Sequence, residues 1–131
     1  MSIQFELLDK LVEYEKRFEN EIKEKEIKLL RDICITEDDY NEIVALLKDL
    51  VKSKNFESIY NKGRLTLSLY LVWCSVYNYK DGDMWTPILS GISIKNTPQN
   101  SRRIGELFLD TLKKYKLLTV NEQIGKKYFS Q

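Results

Sequence analysis

The residues best suited to recognition chemistry stand at the start of the last predicted helix. Gln99 and Asn100 can form paired hydrogen bonds with adenine, and Arg102 and Arg103 can form them with guanine. Ser101 can bind a phosphate oxygen. Because the first residues of the second helix in a helix-turn-helix reach the base edges, these five side chains form a candidate nucleic-acid interface.

A helix-turn-helix also needs a short first helix and a tight turn before this segment. A short helix is predicted to begin near Asp83, followed by the turn Ser-Gly-Ile-Ser at 90–93 and a final helix from Pro98 to Lys116. Lys95 and Lys113 would add contacts to the phosphate backbone. The residues between the turn and the final helix outnumber the three or four that such a turn contains, which weakens the match.

The alternative interpretation of this segment is a solvated polar turn, with Arg102 or Arg103 paired to an acid of the N-terminal half. Residues 1–60 carry 10 Lys and Arg against 15 Asp and Glu, a balance of −5, and residues 61–131 carry 11 against 5, a balance of +6. This segregation indicates either a C-terminal half that faces a polyanion or two halves that attract each other. We prefer the second interpretation.

Carboxylates suggest a second possible chemistry. Asp81 and Asp83 flank Gly82, and together with Glu106 they would resemble a divalent-metal site or an acid–base pair. No sequence feature brings Glu106 near them, and Asp-Gly-Asp between helices is typical of a turn. We therefore predict no catalytic residue, no metal site and no cofactor.

The absence of histidine excludes several enzyme classes. The chain contains 0 His and 2 Cys, so Ser-His-Asp and Cys-His nucleophiles and histidine-based zinc sites are excluded. Cys34 and Cys74 lie far apart in apolar segments, which predicts buried free thiols in a reducing cytosol. We expect a protein that is not an enzyme.

The elements that position these residues are predicted to pack around one segment. Leu65–Tyr77 is almost wholly apolar and is bounded by Gly63 before it and by Gly82 after it. The alternation within Leu65–Trp73 is also compatible with a strand, but the length between the breaks favours a buried central helix.

The flanking segments have helical periodicity. A long charged helix is predicted from residue 3 to about 33, within an N-terminal unit of residues 1–35, and its segment Asn20–Lys28 has few apolar residues. This helix would project as an arm, break near Asn20, or pack on a partner chain. A second helix, capped by Thr36 with Asp39, runs from Glu37 to about Ser53. The fold class is therefore all-α, a bundle of about five helices in one domain of residues 1–131.

A resemblance covers roughly the second half of the chain. The pattern Tyr77-x-Tyr79-x-x-Gly82-x-x-Trp85, then Gly91-Ile92, then Arg103-Ile104-Gly105-x-x-Phe108, resembles a helical module in the N-terminal part of larger uncharacterised bacterial proteins. The resemblance implies a module of a mobile-element or defence-type protein, of bacterial or phage origin. It implies no catalytic residue.

These patterns lead to two functional hypotheses. The first is a non-catalytic interaction module that self-associates or docks a protein partner through its N-terminal helix. The second is DNA binding through residues 83–116. Because the chain lacks a long apolar run and a secretory signal at its N-terminus, we expect a cytoplasmic protein without a membrane partner.

Overall fold

The computed structural model describes residues 3–33, 35–54, 56–77 and 85–118, and these residues form an all-α bundle. The α-helices of the described residues are α1 (Ile3–Lys25), α2 (Glu37–Lys52), α3 (Phe56–Lys62), α4 (Arg64–Tyr77), α5 (Trp85–Gly91) and α6 (Pro98–Lys114). A short 3-10 helix, Leu30–Asp32, lies between α1 and α2. The predicted fold class is confirmed.

Helix α4 is the centre of the bundle. It packs against α1, α2, α3, α5, α6 and the 3-10 helix. Because neighbours surround it, both sets of its alternating residues are buried, including Leu65, Thr66, Leu67 and Ser68. This arrangement confirms the central helix, and the alternation does not reflect a strand.

Helix α1 ends earlier than the sequence pattern predicts. The prediction of a helix to about residue 33 is wrong, because Glu26 adopts a left-handed conformation with a φ of 49° and the chain reverses there. The Ile27 N–H donates to the Ile22 carbonyl at 3.1 Å, which closes the end of the helix. The apolar spacing continues beyond the turn because Leu30 and Ile33 return to the core as part of a separate segment.

The apolar face of α1 lies against the bundle. Leu11, Phe18 and Ile22 are buried, and the helix packs against α2, α3 and α4. The helix is continuous through Asn20 and does not extend outward as an arm in this chain. Packing of its exposed face on a partner chain stays a prediction.

The predicted cap of α2 is confirmed. The Thr36 hydroxyl accepts a hydrogen bond from the Asp39 N–H at 3.0 Å, and the Asp39 carboxylate accepts one from the Thr36 N–H at 3.2 Å. Arg17 of α1 pairs with the same carboxylate at 3.0 Å and holds the pKa of Asp39 below its usual range. The first turn of α2 is therefore tied to α1.

Helix α5 is joined to α4 by a buried hydroxyl. The Tyr70 hydroxyl donates to the Ile88 carbonyl at 2.6 Å, and a β-carbon added at Gly91 would collide with that same hydroxyl. The predicted helix start near Asp83, the Asp-Gly-Asp turn and the segment 119–131 lie outside the described residues. Helix α6 begins at Pro98, as predicted, with Thr97 as its cap, and it ends at Lys114, two residues before the predicted Lys116.

Gly63 allows α1 and α4 to approach closely. A β-carbon at position 63 would lie 2.6 Å from Leu11 Cδ1, inside van der Waals contact. We expect Gly63→Ala to lower the free energy of unfolding by about 1–3 kcal/mol because the buried Leu11 side chain must move. Equilibrium urea unfolding measures this change.

The double variant Leu11→Ala/Gly63→Ala is the control for this explanation. The Leu11→Ala change removes the side chain that the new β-carbon would meet. Adding Gly63→Ala to the Leu11→Ala protein should therefore lower the free energy of unfolding by less than Gly63→Ala does in the wild type. If the two changes lower the free energy of unfolding by strictly additive amounts, Leu11 is not the obstructing side chain.

Candidate functional site

A cleft of about 620 Å³ lies between α1, α3, the start of α4 and the end of α6. Helix α1 contributes Glu15, Lys16 and Glu19 to its lining, and the end of α6 contributes Lys114 and the following residue, Tyr115. We refer to it as the Glu15 cleft. It is a site that the sequence reasoning did not identify.

Glu15 is in the cleft because α4 needs an acceptor at its N-terminus. The residue before α4 is Gly63, which has no side chain that could cap the unpaired N–H groups of the first turn. The Glu15 carboxylate accepts a hydrogen bond from the Thr66 N–H at 2.6 Å, and only 7% of the Glu15 residue surface is exposed. A carboxylate at this end of a helix also complements the helix dipole. Glu15 therefore caps α4 from a different helix.

The burial of Glu15 changes its protonation. Removal from water raises the pKa of the Glu15 carboxyl to about 7, although hydrogen bonds from Thr66 and Leu65 act in the opposite direction and the neighbouring Glu19 adds to the rise. The carboxyl is therefore partly protonated at neutral pH, which reduces the negative charge inside the cleft.

Glu19, the second carboxylate of the cleft, lies near Tyr115, the residue that follows α6. Burial, together with the charges of Glu19 and Glu15, raises the pKa of the Tyr115 hydroxyl to about 12, so the hydroxyl stays neutral. The two carboxylates therefore differ, because Glu15 caps α4 whereas Glu19 lies beside a neutral hydroxyl.

The four cations of the cleft differ from the Glu15 carboxylate in their exposure and in their partners. Lys16, Lys62 and Lys114 are exposed, and Arg64 is half-buried. The Arg64 Nε donates to the Tyr60 carbonyl at 3.0 Å, and its guanidinium lies 5.0 Å from the centre of the Tyr60 ring. Within the described residues, none of these four cations forms an ion pair with a carboxylate.

One sequence signal for Glu15 exists in retrospect. Glu15 follows Leu11 by four residues and precedes Phe18 by three, so it occupies the apolar face of α1. A carboxylate at such a position must find a partner when the helix packs. The sequence does not reveal that this partner is the first turn of α4, 51 residues away.

At the start of α6, several of the predicted nucleic-acid-binding residues form local hydrogen bonds. The Asn100 N–H donates to the Thr97 hydroxyl at 3.1 Å, and its side-chain amide donates to the Lys95 carbonyl at 2.9 Å. The Ser101 hydroxyl donates to the Pro98 carbonyl at 3.2 Å. These bonds close the turn before α6.

Arg103 connects α6 to α3. Its guanidinium pairs with Glu57, and it lies 4.8 Å and 4.9 Å from the ring centres of Phe56 and Tyr60. This contact corresponds to the alternative interpretation, in which an arginine of this segment pairs with an acid of residues 1–60. Arg102 is exposed.

The exposed face of α6 carries charges of both signs. Its exposed residues at helical spacing are Gln99, Arg102, Glu106, Asp110 and Lys113. Two carboxylates therefore separate Arg102 from Lys113, which lies roughly 16 Å from Arg102 along the helix. Helices α5 and α6 both pack on α4 rather than mainly on each other, unlike the two helices of a helix-turn-helix.

Comparison with known proteins yields no relative. No protein family, curated protein or solved structure matches this chain. In the ranges 3–33, 35–54, 56–77 and 85–118, no group of three or more Cys, Asp or Glu is placed to hold a metal ion. Over the same part of the chain, no helix has both the length and the apolar character needed to cross a membrane.

The raised pKa of Glu15 links stability to pH. The pKa of about 7 in the folded protein lies above the ordinary value of 4.5, so the contribution of Glu15 to stability is fully present below about 4.5 and is lost as pH rises through 7. Glu15→Gln keeps an acceptor for the Thr66 N–H without a charge. The wild type should lose stability between pH 4.5 and pH 8, and this variant should not. We therefore expect the free energy of unfolding of the variant, relative to the wild type, to rise by up to about 3 kcal/mol over this range.

Urea unfolding across this pH range measures the difference. The matched control is Glu13→Gln, which removes an exposed carboxylate from the same helix and should leave the pH dependence of the wild type in place. An identical pH profile for the two variants would show that Glu15 is not the group responsible.

The two arginines of α6 should differ in their effect on stability. Arg103→Ala removes the contacts with Phe56 and Tyr60 and should lower the free energy of unfolding by about 1 kcal/mol. Arg102→Ala removes an exposed side chain and should change it by less than about 0.5 kcal/mol. Thermal and urea unfolding of the two single variants test this contrast, and equal effects would count against the packing role of Arg103.

Proposed function

We propose that this protein is a non-catalytic interaction module that docks a protein partner in the Glu15 cleft, with α1 as one wall of the binding site. The observation that carries the proposal is the convergence of polar side chains from four helices on one cleft whose floor is fixed by the Glu15 cap. A rigid floor with adaptable polar sides is typical of a recognition surface. The proposal retains the sequence-based hypothesis that the N-terminal helix contacts the partner.

A catalytic role for Glu15 is the first alternative. A carboxyl with a pKa of about 7 in a cleft is suited to general acid–base catalysis. Here burial accounts for the pKa, and the capping of α4 accounts for the burial. Because structure alone explains the group, we assign it a structural role.

DNA binding through α6 is the second alternative, and the geometry favours it less. Asn100 and Ser101 use their donors in the local turn, and Arg103 pairs with Glu57. Glu106 and Asp110 would face phosphates if the exposed side of α6 lay in a groove. A protein partner in the Glu15 cleft requires none of these groups to change partners.

We also propose a cytoplasmic location in a bacterial or phage system. The supporting observations are the resemblance to a helical module of mobile-element or defence-type proteins and the burial of the Cys74 thiol in α4.

The proposal is tested by blocking the cleft without choosing a ligand in advance. A random peptide library displayed on phage is panned against the wild type, and the enriched peptides are then measured on two variants. Asn61→Trp places a large ring at the edge of the cleft, whereas Asn41→Trp makes the same change on the exposed face of α2. We expect enriched peptides to bind the wild type and Asn41→Trp equally and Asn61→Trp about tenfold or more weakly, because the ring occupies their site.

The proposal fails if no peptide is enriched, or if the enriched peptides bind all three proteins with the same affinity. Sedimentation equilibrium of the same variants addresses self-association. A wild-type dimer that Asn61→Trp dissociates would identify the partner as a second copy of this chain.

A further inference from the structure

We infer that the Glu15 cleft recognises a short acidic segment of its protein partner, in which neighbouring carboxylates contact the four cations of the cleft. This inference rests on the proposed function and specifies the chemistry of the partner.

The first observation is the convergence of cations from separate elements. Lys16 comes from α1, Lys62 is the last residue of α3, Arg64 is the first residue of α4, and Lys114 is the last residue of α6. Lysines suit the C-terminal ends of α3 and α6, where the helix dipole favours a cation. Arg64 stands at the opposite kind of terminus, where the dipole disfavours a cation, so the dipole of α4 does not explain its position.

The second observation is that the cleft is lined by four cations and two acids, one of which is already bound within the protein. Glu15 accepts a hydrogen bond from the Thr66 N–H and is partly protonated at neutral pH. The four cations have no carboxylate partner among the described residues. A ligand that enters the cleft therefore meets more unpaired positive charge than negative charge.

The chemistry of Arg64 suits a carboxylate. Its Nε is used by the Tyr60 carbonyl, which fixes the stem of the side chain, and the remaining N–H donors of the guanidinium can form paired hydrogen bonds with a carboxylate. The contact with the Tyr60 ring further restricts its orientation. A pre-oriented guanidinium loses less conformational entropy on binding than a free one.

The surroundings of the cleft favour a short acidic segment over a long polyanion. A peptide strand fits within about 620 Å³, whereas a nucleic-acid duplex would extend over the neighbouring surface.

Fluorescence anisotropy with a labelled hexaglutamate peptide tests the inference directly. We expect the wild type to bind hexaglutamate but not hexaglutamine or hexalysine, with an affinity that falls as salt rises from about 50 to about 200 mM. Lys16→Glu/Lys114→Glu should weaken binding about tenfold or more, because two attractive contacts become repulsive.

The matched control is Lys48→Glu/Lys52→Glu, which makes the same change of net charge on exposed lysines of α2 outside the cleft. Circular dichroism establishes that both variants are folded. Equal loss of binding in the two variants would overturn the inference, because the attraction would then come from the charge of the whole protein. Tighter, cleft-dependent binding of a duplex DNA probe would also overturn it, because the ligand would then be nucleic acid.

The hexaglutamate experiment and the peptide-library experiment distinguish a failure of this inference from a failure of the proposed function. One outcome is that the library yields peptides that bind in the cleft and contain no acidic residues, while hexaglutamate does not bind. In that case the inference of an acidic segment is wrong and the proposed docking function is retained. If neither experiment yields cleft-dependent binding, both are wrong.

Discussion

The hydrogen bond from the Thr66 N–H to Glu15 satisfies a constraint that the close packing of α1 and α4 creates. Gly63 lets Leu11 reach the backbone at the start of α4, but a glycine has no side chain that could accept from the N–H groups of the first turn. The buried Thr66 N–H of that turn then needs an acceptor from elsewhere in the fold. Glu15, one turn after Leu11, meets this need, and its carboxyl leaves water as a result.

This one interaction sets both stability and site geometry. It fixes α1 relative to α4, so Lys16 on α1 and Arg64 on α4 are held at the same cleft. It also places an ionisable group at the floor of the cleft with a pKa near neutrality. Protonation of that group, folding and the charge of the cleft are therefore coupled.

The parts of the fold that depend on neighbours in sequence could be predicted. The cap of α2 by Thr36 and Asp39 involves residues three positions apart, and the all-round apolar character of α4 is a local pattern. The end of α1 could not be located by periodicity, because Leu30 and Ile33 continue the apolar spacing after the chain has turned at Glu26. Apolar periodicity indicates which residues are buried, but it does not indicate where the chain turns between them.

The candidate site could not be predicted, for a related reason. Its cations come from α1, α3, α4 and α6. Lys62 and Arg64 flank Gly63 in the sequence, but no sequence motif brings α1 or α6 to them. The sequence instead drew attention to Gln99–Arg103, where polar residues are adjacent in the chain. In the structure Asn100 and Ser101 complete a turn. Residues that are adjacent in the sequence thus form the turn at the start of α6, whereas the cleft forms only when separate helices pack together.

The charge segregation of the chain supports the same view of the cleft. If attraction between the two halves explained it, ion pairs should cross between residues 1–60 and residues 61–131. Among the ion pairs of the described residues, Arg103–Glu57 crosses, whereas Lys10–Glu42, Arg17–Asp39 and Lys25–Glu21 lie within the N-terminal half. Among the described residues of the C-terminal half, most of the positive charge thus has no acidic partner. Part of it lies at the Glu15 cleft, where a partner of opposite charge would supply the pairing that the described residues do not.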